Sequence, residues 1–188
     1  MKITDYLSAK PVLETERLVL RQLTADDAAD LEEWLPDPDL YKYWGRPASK
    51  VERNPRKQFA DPKPHIVKKP RPALKWGLAL KPHDKIIGEI YLMDIENDSK
   101  AKVAFRLSKE YWGRGLATEA LKEVVRFCFE DAELERLWTD VDARNAASRA
   151  VLEKCGLKKE GFIRQGRINL TFYYYYMYGM FKRDFKPS

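Results

Sequence analysis

Tyr111-Trp112-Gly113-Arg114-Gly115-Leu116-Ala117-Thr118-Glu119-Ala120 decides how this chain folds. Upstream, Ala101 to Leu107 places Val103, Phe105 and Leu107 on one face, the period of a strand. Downstream, Leu116 to Phe129 carries Ala117, Ala120, Leu121, Val124, Val125 and Cys128 as one apolar stripe, the period of a helix. Between them lies a polar connection, Ser108 to Gly115. Glycine allows a tight turn and a close backbone approach to a ligand. The helix start then presents free N–H groups and a partial positive charge. Together these suit a phosphate or pyrophosphate. No Gly-Lys-Ser/Thr ends the loop, so it is not a Walker site. A dinucleotide fingerprint would place its glycines directly after the strand, with a small residue where Thr118 stands. A plain strand-to-helix turn remains open on this stretch alone.

Working outward, Leu18 to Leu23 reads as a strand, and Thr24 as the N-cap of a helix that runs to Trp34 and stops before Pro36. Residues 36–45 are expected to form a second short helix with Leu40, Tyr43 and Trp44. Leu74 to Leu80, Lys85 to Ile95 and Ala101 to Leu107 follow as strands. The links Lys81-Pro82-His83-Asp84 and Glu96-Asn97-Asp98-Ser99 are turn chemistry, which makes an antiparallel meander. Leu137 to Val141 is a strand, and Ala146 to Cys155 a helix ended by Gly156. Phe162 to Gln165 and Thr171 to Phe181 read as a closing hairpin. The order β-α-α-β-β-β-α-β-α-β-β predicts one mixed α/β domain over residues 1–188. Its core is a largely antiparallel, twisted sheet of about seven strands flanked by helices.

The composition agrees with a packed domain. Of 188 residues, 44% are hydrophobic, too many for a disordered chain. No apolar run approaches the roughly 20 residues of a membrane span, so no membrane partner is expected. Met1-Lys2-Ile3-Thr4-Asp5 has no apolar segment of a secretory signal. Cys128 and Cys155 are too few for a disulfide framework or a metal cluster. A cytoplasmic protein with reduced thiols and no metal is the expectation. The net charge is +6, unevenly placed. Residues 46–75 alone net +8 and hold six of the eleven prolines. A basic, proline-rich loop over about 46–73 is therefore expected. Its charge suits an anionic cofactor, substrate or nucleic acid, or simply solvent.

A second motif lies thirty residues on: Arg144-Asn145-Ala146-Ala147-Ser148-Arg149-Ala150-Val151-Leu152-Glu153-Lys154-Cys155-Gly156-Leu157. Asn145 is a good N-cap, with Ser148 one turn in. The two motifs, together with Glu14-Thr15-Glu16-Arg17-Leu18-Val19-Leu20-Arg21, resemble the GNAT superfamily of acetyl-CoA-dependent N-acetyltransferases, in its RimJ/RimL-like branch. The resemblance covers roughly residues 13–185 and implies a GNAT-like fold, with acetyl-CoA as co-substrate and no metal. It implies that Phe105, Arg106 and Leu107 give backbone bonds to pantetheine. Trp112, Gly113, Arg114, Gly115, Leu116 and Ala117 would cradle the pyrophosphate, Asn145 would bond the pantetheine arm, and Ser148 would sit by the thioester sulfur. Arg114 and Arg149 would add charge-assisted contacts.

The implied reaction is direct transfer of an acetyl group to a primary amine in a ternary complex. The acceptor is a protein N-terminus, such as that of a ribosomal protein, or a small-molecule amine. Ser148 is the first candidate to protonate the leaving thiolate. Tyr174, Tyr176 and Tyr178 on one strand face, and Tyr173 and Tyr175 on the other, are its rivals. Glu89, set in Ile87-Gly88-Glu89-Ile90, is the best general base, because burial between apolar residues would raise its pKa. Asp94 and Glu96 are weaker candidates. His65 and His83 read as exposed, Glu119 as a favourable charge at a helix start, and the cysteines as structural. The alternative is a non-catalytic acyl-CoA-binding or regulatory protein whose basic loop touches RNA or the ribosome. Otherwise nucleic acid is not the expected partner, and the chain is a monomer or homodimer.

Overall fold

A computed structural model describes residues 1–43, 73–164 and 174–187, and the backbone of 167–168 and 171–172. The basic proline-rich loop, Trp44, His65 and Tyr173 lie outside the described residues. The strands are β1 (Leu13–Glu14), β2 (Leu18–Arg21), β3 (Leu74–Leu80), β4 (Lys85–Glu96), β5 (Lys100–Leu107), β6 (Arg136–Asp142), β7 (Lys158–Ile163), β8 (Arg167–Ile168), β9 (Thr171–Phe172) and β10 (Tyr175–Phe181). The helices are α1 (Ala28–Trp34), α2 (Leu116–Arg126) and α3 (Ala146–Lys154). Eight strands form one sheet in the order β1-β2-β3-β4-β5-β6-β10-β7, and β8 pairs with β9 apart from it. The sheet is antiparallel except where β5 meets β6.

The expected mixed architecture is present, with local differences. The closing segments pair antiparallel as expected, with Phe162 opposite Tyr176 and Arg167 opposite Phe172. In addition β10 lies between β7 and β6, so that Tyr178 pairs with Lys159 on one side and Thr139 on the other. Within residues 36–43 the structure has a single 3-10 turn, Pro38–Tyr41, rather than a helix; Pro38 stands in its first turn, where the lost N–H costs little. The α2 stripe continues past Arg126 as a π-helical turn, Phe127–Asp131.

Both faces of the sheet are covered. One face packs Leu18, Leu20, Leu74, Trp76, Leu92, Val103 and Leu107 against α2 residues Leu116, Leu121, Val124 and Val125 in a single core. On the other, α1 sets Leu31, Trp34 and Leu35 on Ala79 and Ile86. The β3–β4 ladder shifts register beside Ala79, and α1 satisfies the backbone there. Asp30 Oδ2 accepts the Ile86 N–H at 2.7 Å, and the Trp34 indole N–H donates to the Ile86 carbonyl at 3.0 Å. Those bonds tie α1 to the end of β4 that precedes the site strands.

Candidate active site

The β5–β6 contact creates the site. Their parallel pairing covers only Lys100↔Arg136, Ala101↔Leu137 and Lys102↔Trp138, yet the strands run on to Leu107 and Asp142. Beyond Lys102 they splay. β5 stays paired with β4 through Leu107↔Gly88, so its other edge faces the gap with backbone groups unpaired by any strand among the described residues. A cavity of about 500 Å³ opens there. Its walls are the end of β5, the glycine loop, the start of α3 and the turn before residue 44.

The glycine loop has the conformation its residues demand. Gly113 has φ +76° and Gly115 φ +79°, a region that costs an L side chain about 1–2 kcal/mol. No side chain caps α2, whose first hydrogen bond within the helix runs from the Glu119 N–H to the Gly115 carbonyl at 3.0 Å. The N–H groups of Leu116, Ala117 and Thr118 therefore meet no acceptor among the described residues, at a helix start lining the cavity. That is the geometry of an anion site. The Trp112 indole N–H is committed elsewhere, to the Leu107 carbonyl at 2.7 Å. Trp112 thus offers the cavity a ring face held in place rather than a donor, and one Leu107 acceptor position is already used.

Across the cavity, α3 begins at Asn145. Its Oδ1 accepts the Ser148 N–H at 3.1 Å, which leaves its amide donors for the cavity. Ser148 is half-buried and lines the same cavity. Of the residues implied to hold the cofactor, Phe105, Arg106, Leu107, Trp112, Gly113, Gly115, Leu116, Ala117, Asn145 and Ser148 all line it. Arg114 does not. Its side chain is exposed and lies over the Tyr111 ring at 5.3 Å. Arg149 is on the far side of α3, over the Tyr176 ring at 5.5 Å. The lining also includes Asp39, Leu40, Lys42, Tyr43 and Lys154, none of which was expected at the site. No sequence period brings the turn at 38–43 over a loop seventy residues away.

The expectation for Glu89 needs correction. Burial is complete, as expected, but the carboxyl is not raised. Burial alone pushes it up, and this is outweighed by Arg106 and Lys75, which hold it below its ordinary value. Glu89 Oε2 accepts from Arg106 Nε at 2.5 Å and from the Tyr91 hydroxyl at 2.6 Å, and Oε1 is ion-paired with Lys75. Register explains this: Arg106 is its direct partner on β5, and Lys75 is two residues from Gly77, its partner on β3. Glu89 does not line the cavity, although Arg106 does. The geometry is that of an anchor for Arg106.

The other described candidates do not line the cavity. Tyr178 is fully buried and donates to Glu153 Oε1 at 2.6 Å; burial, with that bond, pushes its phenol up to about 12. Tyr174 is exposed, and its ring stacks on Phe162 at 5.6 Å. Glu96 pairs with Lys100, and His83 is exposed. Asp39, a lining carboxylate, is bonded to Lys109, which holds it below its ordinary value. Cys128 and Cys155 are both buried, and burial raises their thiols. No described helix is long and apolar enough to cross a membrane.

A family model for the acetyltransferase (GNAT) domain matches residues 17–158, three-quarters of the chain. The chain belongs to the GNAT acetyltransferase family. It is therefore an acyltransferase by family. Among its relatives, the uncharacterized N-acetyltransferase YoaA of Bacillus subtilis is 28% identical over 159 residues, covering 82% of this chain and 87% of YoaA. A GNAT-family acetyltransferase structure from Bacillus anthracis has a TM-score of 0.79 at 20% identity, over 92% of this chain and 99% of that one. Two similar folds were solved with coenzyme A. Spermidine N-acetyltransferase from Vibrio cholerae, with CoA and spermine, has a TM-score of 0.74 at 18% identity, over 90% and 98% of the chains. RimL, a ribosomal L7/L12 alpha-N-protein acetyltransferase with CoA, has a TM-score of 0.73 at 17% identity, over 91% and 98%.

Proposed function

We propose that this GNAT protein transfers the acetyl group of acetyl-CoA to a primary amine, by direct attack in a ternary complex. The observation that carries this reading is the splayed β5–β6 gap: an unpaired strand edge, the free N–H groups of 116–118 and the Asn145–Ser148 helix start share one cavity. The residues fit the co-substrate. Three N–H groups at a helix start suit its pyrophosphate. The free β5 edge from Val103 to Leu107 suits the amide groups of its pantetheine arm. The solved relatives that hold CoA support the same assignment.

The thioester supplies an activated acyl carbon. The amine nitrogen attacks that carbon, the C–S bond breaks, and the amine proton must end on the sulfur or in solvent. In this reading Ser148, which lines the cavity, donates a proton to the leaving thiolate and is recharged from the attacking amine through water. N–H groups of the β5 edge stabilise the oxygen on which charge develops. Glu89 enters as the residue that fixes Arg106 in the wall, not as the base. Much of the rate then comes from holding amine and thioester in register. The acceptor is a protein N-terminus or a small amine; the CoA-bound relatives include one of each kind.

The test is release of the CoA thiol when the protein meets acetyl-CoA and a set of peptides with free N-termini and small amines. Turnover with at least one acceptor class is expected. Ser148→Ala should lower kcat about 10- to 100-fold with the acetyl-CoA KM within twofold, the scale of a lost proton donor. Wild-type turnover in that variant would remove Ser148 from the mechanism. No thiol release with any acceptor would overturn the reading.

A further inference from the structure

The glycine loop is held from a distant part of the chain. Arg17, in the turn between β1 and β2, reaches the loop and the first turn of α2. Its Nη1 donates to the Arg114 carbonyl at 3.0 Å, and its Nε donates to Glu119 Oε2 at 2.7 Å. Nη2 lies 2.6 Å from the same Glu119 oxygen. The other oxygen, Oε1, accepts the Arg17 backbone N–H at 2.8 Å and the Thr15 hydroxyl at 2.6 Å. The β1–β2 turn is itself fixed, because Lys81 donates to the Thr15 and Arg17 carbonyls at 2.8 and 3.0 Å. A methyl group at Gly115 would lie 3.6 Å from Arg17 Nη2.

Two consequences follow from charge and geometry. Glu119 is the one carboxylate in the first turn of α2, the turn whose free N–H groups face the anion site. Unpaired, it would repel a pyrophosphate; bound by a fork of Arg17 donors, it is neutralised. The Arg114 carbonyl lies between Gly113 and Gly115, so the bond from Arg17 fixes the peptide plane that leads into left-handed Gly115. Arg17 Nε and Nη1 donate to the protein, and Nη2 faces Glu119. Burial pushes the Glu119 carboxyl up, but hydrogen bonds from Thr15 and Arg17 outweigh it and keep it ionised, ready to pair.

We propose that Arg17 and Glu119 form a clamp that positions the glycine loop for its anionic ligand and cancels the carboxylate beside it. Arg17 is thus a positioning residue for co-substrate binding, acting through the loop and not by contact. The inference rests on the acetyl-CoA reading above, and the experiment separates the two. Wild type, Arg17→Ala, Glu119→Gln and the double variant are titrated with acetyl-CoA and assayed at steady state. Arg17→Ala should raise Kd and KM about tenfold with kcat within twofold. Glu119→Gln should bind at least as tightly as wild type, since the acid is gone and the cation stays. The double variant should bind more tightly than Arg17→Ala but less tightly than wild type, because the repelling charge is gone while the Arg114 carbonyl stays unheld. An ion pair that merely holds the fold would give a double variant as weak as Arg17→Ala, and that result overturns the proposal. So does a Kd within twofold of wild type for Arg17→Ala. Should Arg17→Ala not fold, Arg17→Lys keeps the charge without the fork. A Kd within threefold of wild type is then expected, and a tenfold loss overturns the charge argument. A wild-type protein that binds no acetyl-CoA counts against the co-substrate and not against the clamp. The clamp is then read from hydrogen exchange of amides 113–119 without ligand: faster exchange in Arg17→Ala supports it, unchanged exchange overturns it.

Discussion

Gly115→Glu is expected to raise the Kd for acetyl-CoA more than 100-fold while the domain stays folded. Two effects act together. Gly115 sits at φ +79°, so any L side chain there adds about 1–2 kcal/mol of backbone strain. The new carboxylate would also stand at the start of α2, where it can take the free N–H groups of 116–118 for itself. Against a phosphate roughly 6 Å away, repulsion at an effective dielectric of about 20 is about 3 kcal/mol per charge pair. That repulsion alone is a factor of about 100 in binding, and strain adds to it. Gly115→Ala isolates the strain and should cost about tenfold or less. Calorimetry on both variants, with thermal melts to confirm folding, checks this. A Gly115→Glu protein that binds within threefold of wild type would show that the loop is not the anion site.

Glu89→Gln should lower the stability of the fold by about 3 kcal/mol, read as a fall in the urea midpoint at pH 7. Glu89 is fully buried, with Arg106, Lys75 and the Tyr91 hydroxyl on its two oxygens. Removing one partner of a buried ion cluster leaves the others uncompensated, which costs about 3–5 kcal/mol in comparable sites. The lower end is appropriate because Lys75 keeps some contact with water. The pH dependence has a definite sign. Glu89 is held below its ordinary value when folded, so the stability it adds is present above the unfolded carboxyl's pKa of about 4.3. That stability is lost as pH falls through the folded value. The wild-type urea midpoint should therefore drop below about pH 5, and Glu89→Gln should flatten part of that drop. Asp27, Asp142 and Glu119, also held low, supply the remainder. A variant as stable as wild type that has lost an acidic limb from its kcat profile would return Glu89 to the role of base.

Much of the fold is legible because it depends on short-range signals. The meander over residues 74–107 alternates and is joined by turn residues. The glycine loop joins a period of two to a period of 3.6, and Gly156 ends α3 at φ +86°. The features that escape the sequence are those set by partners far along the chain. The insertion of β10 between β6 and β7, and the splay that opens the cavity, depend on which strand edges meet. Glu89 shows the same limit within one residue. Its burial follows from its apolar neighbours, but the direction of its pKa follows from Arg106 and Lys75 on the flanking strands, which only the register brings together. Asp39, Leu40, Lys42 and Tyr43 reach the cavity by a turn with no local motif for a ligand. Arg17 grips the glycine loop across about a hundred residues, and its place in a short charged run gives no hint of that partner.

The most direct measurement is a calorimetric titration of the wild-type protein with acetyl-CoA, desulfo-CoA and NADH. The cavity described here should give one site per chain with micromolar affinity for both CoA compounds and no heat with NADH, since the N–H groups of 116–118 and the open β5 edge match a pyrophosphate joined to a pantetheine arm. Absence of binding by acetyl-CoA, or equal binding of NADH, would contradict the assignment of that cavity to the co-substrate.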